Sequence, residues 1–203
     1  VDVNGLSSLL SKVKSTPLSI EEIELAQTFI NSISAVEKRW AIKRPTIAVK
    51  QIEGLDHWFQ YNVAEEITQI LNDIECVENC NVRDFMKIVL SSIIVKVSNQ
   101  ESDTRFAAKD KGIENNFVFT QFMSRASEYL NRMIDFSNTV NTDTTLTLIN
   151  ADSRNLSMLE NDSIDIIITS PPYANTYDYY LYHKFRKRWL DIDVKYAQNN
   201  EIG

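Results

Sequence analysis

Apolar side chains recur at helical spacing through most of the first 140 positions. Repeats at i, i+3, i+4 and i+7 mark one face of a helix. They predict helices at 5–14 and 117–136, and three further helices that begin at about residues 20, 62 and 81. The segment 45–59 lacks a clear period, and 98–115 is polar and charged, so both are predicted to be loops. The inward face of the long second helix is predicted to contain Ile20, Ile23, Ala26, Ile30, Ile33 and Trp40.

Several of these helices carry recognisable start signals. Ser19 and Glu22 form a capping box, in which the serine oxygen accepts from the amide of residue 22 and the glutamate accepts from the amide of residue 19. Asn62 together with Glu65 is predicted to open the third helix, and Asn81 is predicted to cap the fourth.

The pattern changes at about residue 143. Residues 145–149 alternate as a strand does, and 165–169 form a short apolar run, which is typical of a parallel strand covered on both faces. Residues 1–4 are typical of the end of a strand, and 154–163 leave room for one or two helical turns. This order favours an α/β fold with a doubly wound sheet interrupted by a large helical insertion over an all-helical bundle.

Composition and charge narrow the class of protein. The chain has 203 residues, 43% of them hydrophobic and 24% charged, which is ordinary for a globular protein. Its net charge of −7 does not indicate a nucleic-acid-binding protein, although a local basic groove would suffice for one. No apolar stretch approaches the ~20 residues that span a bilayer, and no signal peptide opens the chain. Cys76 and Cys80 have no histidines at zinc-ligand spacing, so we expect free thiols, no metal and a cytoplasmic location.

Glycine is scarce. The four glycines are isolated from one another, at positions 5, 54, 112 and 203. These residues therefore contain no glycine-rich turn of the kind that lets a nucleotide approach the backbone.

The predicted strand at 165–169 runs into Thr169-Ser170-Pro171-Pro172-Tyr173. Two consecutive prolines fix two φ angles, and Pro171 pushes Ser170 into an extended conformation. The loop is therefore stiff, and it lies at the carboxyl end of a strand, where open α/β sheets bind their ligands. Taken alone, two prolines favour a rigid strand-to-helix turn that binds nothing.

The run from Asp165 to Tyr173 resembles the catalytic motif of DNA methyltransferases that modify exocyclic amino groups. The resemblance extends upstream to 149–154 and downstream to 174–190, and it includes the strand end at 1–4. It implies a Rossmann-like S-adenosylmethionine-dependent sheet, with core segments at 1–16 and 143–203 and a helical insertion at 17–142. It also implies double-stranded DNA as the partner and no association with membranes.

Within this resemblance, four residues are assigned to the cofactor S-adenosylmethionine. Asp2 corresponds to the acidic residue that holds the ribose hydroxyls, and Asp152 to the one that accepts from the adenine amine; Ser153 and Thr169 are assigned to the same site. Asp2 could otherwise be a polar residue at a strand end, and Asp152 an Asx cap of a turn. The family's glycine loop would precede Asp2, so we expect a fragment or a split chain, with a second chain or segment completing the cofactor site.

The catalytic residues implied are Ser170, Pro171, Pro172 and Tyr173. The Ser170 hydroxyl and the Pro171 carbonyl would accept the two amino hydrogens, which directs the nitrogen lone pair at the methyl donor. Tyr173 would stack on the flipped base. Methylation at carbon 5 of cytosine needs a cysteine nucleophile, and neither cysteine is near this loop. Serine at position 170 favours cytosine N4 over adenine N6.

Aromatic and basic residues alternate after the loop. Tyr177, Tyr179, Lys184 and Arg186 are predicted to contact DNA through stacking and phosphate binding, although a solvated helix face would show a similar pattern. Two other classes of protein stay open: a non-catalytic nucleic-acid-binding or scaffold subunit that depends on another chain for the cofactor, and an RNA or protein-glutamine methyltransferase.

Overall fold

The computed structural model of the chain is mostly helical. It describes residues 1–102, 105–141, 143–170 and 179–200. Its elements are α1 (Gly5–Ser15), α2 (Ile20–Ile42), α3 (Leu55–Trp58), α4 (Tyr61–Glu75), α5 (Cys80–Val97), β1 (Gln100–Ser102), β2 (Arg105–Ala108), α6 (Phe117–Thr139), α7 (Tyr179–Trp189) and α8 (Val194–Asn200). No helix in these ranges is both long enough and apolar enough to cross a bilayer.

Helix α5 is the centre of the core. It packs against α1, α2, α4, α6 and α7. Its buried residues lie on every side of the helix and not on one stripe, as expected for a helix surrounded by others; they include Phe85, Met86, Val89, Leu90 and Ile93. Both α1 and α7 therefore share one hydrophobic cluster with the predicted insertion, and the division into segments 1–16, 17–142 and 143–203 stays a prediction.

The helix starts confirm one predicted cap and correct two. The capping box is present, since Ser19 Oγ accepts from the Glu22 amide at 3.2 Å and Glu22 Oε2 accepts from the Ser19 amide at 2.9 Å. Asn62 is not a cap: α4 begins one residue earlier, at Tyr61, and Asn62 Nδ2 donates to the carbonyl of Ile113.

The predicted cap of α5 is displaced by two residues. Asn79 accepts from the amides of residues 81 and 82, whereas Asn81 lies inside the helix and donates to Glu22 at 2.9 Å. Two asparagines two residues apart offer the same cap chemistry, so the pattern alone did not distinguish them.

The second helix and the two predicted loops also differ from expectation. Ile20 is 73% exposed because it lies in the first turn of α2, whereas the face below it is buried through Ala26, Ile30, Ile33 and Trp40 as predicted. The segment 45–59 contains α3. The polar segment 98–115 contains an antiparallel hairpin of β1 and β2.

A buried carboxylate joins α4 to α6. Glu66 has no exposed side-chain surface, and its oxygens accept from the backbone amides of Asn116 at 2.7 Å and Val118 at 3.0 Å. Arg44 NH2 lies 2.9 Å from the same carboxylate. Burial raises the pKa of Glu66, and the two amides and Arg44 oppose that rise. The side chain thus caps α6 from a neighbouring helix.

The predicted parallel sheet is not formed by the described residues, whose only sheet is the hairpin. Residues 1–4, 145–149 and 165–169 do not form strands. Ile166, Ile167 and Ile168 are 77%, 82% and 93% exposed. A strand hidden on both faces needs flanking strands and covering helices, and the described part of the chain places none beside this run. The Rossmann-like sheet is therefore not shown by the described residues and stays a prediction.

Candidate functional site

The N-terminal segment lies against the segment that follows residue 148. The Asp2 amide donates to the carbonyl of Ile149 at 3.1 Å. Asn150 Nδ2 donates to the Asp2 carbonyl at 2.7 Å and to Ser8 Oγ at 3.1 Å. The two stretches predicted to hold the cofactor, one containing Asp2 and the other Asp152, are thus brought together although they are far apart in sequence.

Asp2 is exposed, and one of its carboxylate oxygens accepts a hydrogen bond within the turn that precedes α1. Its Oδ1 accepts from the Asn4 amide at 2.7 Å, and Asn4 in turn caps α1 by accepting from the Leu6 amide. The segment that follows Asp2 is therefore fixed by the start of α1, and the acidic side chain lies at the solvent-facing side of that turn.

Asp152 is paired with Arg154. The guanidinium Nε of Arg154 lies 3.0 Å and 2.9 Å from the two carboxylate oxygens, and the Arg154 amide donates to Oδ1 at 2.9 Å. These hydrogen bonds and the adjacent positive charge lower the pKa of Asp152. The carboxylate is ionised and available as an acceptor, but a ligand amine would have to displace or share Arg154.

The remaining predicted loop residues fall into two groups. Ser153, Thr169 and Ser170 are exposed, and Thr169 and Ser170 follow the exposed isoleucines directly. Pro171, Pro172, Tyr173 and Tyr177 lie outside the described residues. The roles assigned to all of these side chains stay predictions.

Helix α7, which begins at Tyr179, is firmly anchored to the helical core. Phe185 and Trp189 are buried, and the Phe59 ring lies at centroid distances of 5.6 Å and 5.4 Å from them. Lys50 Nζ donates to the Trp189 carbonyl at 2.9 Å, and Arg188 pairs with Glu53. This anchoring was not predicted, because nothing in the sequence of 45–59 identifies it as the seat of a later helix.

Two of the predicted DNA-contacting residues lie on α7 with described side chains. Lys184 is half-buried. Arg186 is also half-buried: its Nε donates to the Ser91 carbonyl of α5 at 3.2 Å, and its NH1 lies 3.1 Å from His183 Nδ1. Arg186 is thus held towards the interior of the helical bundle, where it lines a cavity between α1, α5, α6 and α7.

Metal chemistry finds no support in the described ranges. They contain no cluster of three or more histidine, cysteine or acidic side chains that could hold an ion. Cys76 and Cys80 are free and exposed, as the sequence predicts.

Comparison with known proteins finds a similarity to one curated methyltransferase. The chain is 27% identical, over 218 aligned positions, to the Type II methyltransferase M.MvaI of Kocuria varians. The alignment covers 95% of this chain and 46% of that protein, so the chain spans about half the length of the relative it matches. No protein-family model matches the chain, and no solved structure matches it.

Proposed function

We propose that the chain is part of an S-adenosylmethionine-dependent DNA methyltransferase that modifies an exocyclic amino group, with cytosine N4 favoured and adenine N6 as the alternative. The observation that carries the proposal is the contact of Asp2 with Ile149 and Asn150, which joins two predicted cofactor segments. The similarity to a Type II methyltransferase over 95% of the chain supports it independently.

The described side chains fit the polar groups of the cofactor. Asp2 and Asp152 offer carboxylate oxygens, which accept from ribose hydroxyls and an adenine amine, and Ser153 and Thr169 add exposed hydroxyls. When bound, S-adenosylmethionine would supply the electrophilic methyl group. The chain's own contribution at this end is binding and orientation.

The catalytic step is assigned to the predicted loop. The Ser170 hydroxyl and the Pro171 carbonyl accept the hydrogens of the target amino group, so that the nitrogen lone pair is free to attack. Pro172 stiffens the loop, and Tyr173 stacks on the flipped base, an interaction worth about 1–3 kcal/mol. No covalent intermediate on the enzyme is required, and catalysis rests on positioning.

The exposed isoleucines support a further part of the proposal. An apolar run of this kind is costly in water, and Ile166, Ile167 and Ile168 are more than three-quarters exposed. We assign them to a Rossmann-like sheet that additional strands complete, from a second chain or another segment that also provides the glycine-containing cofactor loop. The same observation favours a second candidate, a non-catalytic DNA-binding or scaffold subunit.

Two measurements test the proposal. Calorimetry of the chain with S-adenosylmethionine separates the two candidates, because tight binding by this chain alone would exclude the scaffold role. Methyl transfer to DNA, with mass spectrometry of the released nucleosides, identifies the modified base as N4-methylcytosine or N6-methyladenine.

Matched variants locate the catalytic loop. Ser170→Ala and Tyr173→Ala are expected to cripple transfer. Ser157→Ala, a serine in the same exposed segment, and Tyr173→Phe, which keeps the ring, should retain most of it. Full activity in Tyr173→Ala would refute base stacking.

The DNA contacts assigned to Tyr177, Tyr179, Lys184 and Arg186 have their own test. Each cation that neutralises a phosphate steepens the salt dependence of binding by about one unit of log–log slope. Lys184→Gln should therefore weaken DNA binding and flatten this dependence, whereas Lys38→Gln, on exposed α2 surface, should leave both unchanged.

A further inference from the structure

A cavity of about 530 Å³ lies where α1, α5, α6 and α7 converge. This volume falls within the range of small-molecule sites. Its apolar wall includes Phe85, Ile88, Met133 and Phe136, and the Tyr129 ring adds an aromatic face with a polar tip. Such walls suit a ligand that is flat and largely apolar.

The polar side chains of the cavity are biased towards positive charge. Lys14, Arg132, Arg186 and His183 line it, and none of the described residues that line it is acidic. In a chain of net charge −7 this bias does not follow from composition. The cavity therefore suits a ligand that joins an aromatic body to an anionic group.

Arg132, which lines the cavity, belongs to a cluster with a surplus of positive charge. Arg125 and Arg132 share a single carboxylate, that of Glu128, at 2.8 Å and 2.6 Å. Both guanidinium groups also lie near the Tyr129 ring, at 5.5 Å and 6.0 Å from its centroid. Lys14 is exposed on the facing helix α1. An anionic group bound beside these cations would hold the aromatic part of the same ligand against the Tyr129 ring.

We propose that this cavity binds one nucleotide of the DNA substrate, with its base among the apolar and aromatic side chains and its phosphate beside Lys14 and Arg132. The inference rests on the proposed function, since α1 follows the predicted ribose-binding Asp2 and α7 follows the predicted catalytic loop. Stacking on tyrosine and contact with cations are the interactions by which proteins hold single-stranded DNA.

The test measures the affinity of the whole chain for deoxycytidine or deoxyadenosine monophosphate by ligand-detected NMR titration. Lys14→Glu/Arg132→Glu is expected to weaken binding at least about tenfold. Lys38→Glu/Lys43→Glu changes the net charge equally at exposed positions away from the cavity and should leave affinity within about twofold. Equal weakening in both pairs would overturn the proposal, because bulk electrostatics would then explain the effect.

A second pair of variants tests the aromatic contact. Tyr129→Leu should weaken the mononucleotide about five- to tenfold, a loss within the range that base stacking allows, and Tyr61→Leu, at a tyrosine exposed on α4, should not. Inorganic phosphate should compete only weakly. If phosphate competed as strongly as the nucleotide, or if Tyr129→Leu had no effect, the cavity would bind anions without recognising the base. Either result would contradict the assignment.

These titrations need neither cofactor nor methyl transfer, so they separate the two proposals. Mononucleotide binding that follows the expected pattern, without transfer by the completed enzyme, would contradict the proposed function alone. Active enzyme whose chain binds no mononucleotide would contradict the cavity assignment alone. Circular dichroism of each variant confirms that the helical fold is kept.

Discussion

Asn150 Nδ2 lies 2.7 Å from the main-chain oxygen of Asp2, across 148 positions of sequence. The second hydrogen of the same amide reaches Ser8 Oγ. One exposed side chain therefore ties the turn before α1 to the segment that carries Asp152. The relative placement of the two candidate cofactor carboxylates depends on this contact.

Replacing Asn150 with alanine should loosen this junction without unfolding the chain, because the residue is exposed and both of its bonds are to the N-terminal segment. Amide hydrogen exchange in the peptide covering residues 1–8 should become faster, measured by mass spectrometry. Asn155→Ala, which removes only a local turn contact with the Ser157 amide, should leave that peptide unchanged. Unaltered exchange in Asn150→Ala would show that other contacts hold the segment.

Arg154 controls the ionisation of Asp152. Its hydrogen bonds lower the pKa of that carboxyl, so Arg154→Ala should return the pKa towards the ordinary value of about 3.9. Carbon-detected NMR titration of the carboxyl group would measure the change. If the carboxylate also accepts the adenine amine of the cofactor, the variant should bind cofactor about two- to fivefold more tightly, the scale of an exposed ion pair. Weaker binding would instead make Arg154 part of the binding site.

The buried Glu66 should be a sensitive point of the fold. Glu66→Ala leaves the amides of Asn116 and Val118 without their acceptor, while Arg44 keeps its ion pair with Glu65. Leaving a buried donor unsatisfied costs about 1–3 kcal/mol per group. Glu66→Gln keeps an acceptor oxygen and should cost clearly less. Urea unfolding followed by circular dichroism measures both. A loss below about 1 kcal/mol for Glu66→Ala would show that water replaces the carboxylate.

Asp73 should weaken the fold at neutral pH. Burial raises its pKa, opposed by a hydrogen bond from Gln69, and its Oδ2 is buried without a hydrogen-bond partner among the described residues. Because the folded-state pKa exceeds the unfolded one, the folded chain holds this proton more readily. The stability that this group contributes is present below the unfolded pKa and is lost as pH rises through the folded pKa.

Asp73→Asn should therefore be more stable than the natural chain above that range, by about 0.5 kcal/mol, and equal to it at the acidic end. Unfolding midpoints measured across the acid range would show the two curves converge as pH falls. Parallel curves would mean that Asp73 does not titrate differently in the two states.

Helices α1, α2, α4, α5 and α6 were predictable because each carries local signals. The periodicity of α1 and the capping box of Ser19 and Glu22 in α2 depend only on neighbouring residues. The folded chain therefore contains both features as predicted. The burial of Glu66 had no such signal, since a glutamate on a helix is ordinarily exposed and only Arg44, Asn116 and Val118, which are distant in sequence, make its burial favourable. The hairpin at 100–108 is equally dependent on tertiary contacts, such as the Asn99 amide bonded to the Trp58 carbonyl.

The candidate site was predictable as a motif and not as geometry. The run from Asp165 to Tyr173 predicts a chemistry, but its isoleucines can form a buried strand only if other strands cover them. Asn150 was overlooked as a positioning residue because its partner is the backbone of Asp2, which no side-chain pattern reveals. The cationic lining of the cavity was equally hidden, because Lys14, Arg132 and Arg186 come from three separate helices.

The packing of α7 on Phe59 and Lys50 also limits how related chains can be recombined. A chimera that takes the loop and α7 from a relative, but keeps the native 45–59 segment, would place a foreign helix against Phe59 and Lys50 instead of the one that carries Phe185 and Trp189. The two stretches form one transferable unit despite the 120 or so residues between them. Exchange of α7 between related proteins should therefore give a folded chain when both stretches are moved together and fail to do so when either is moved alone.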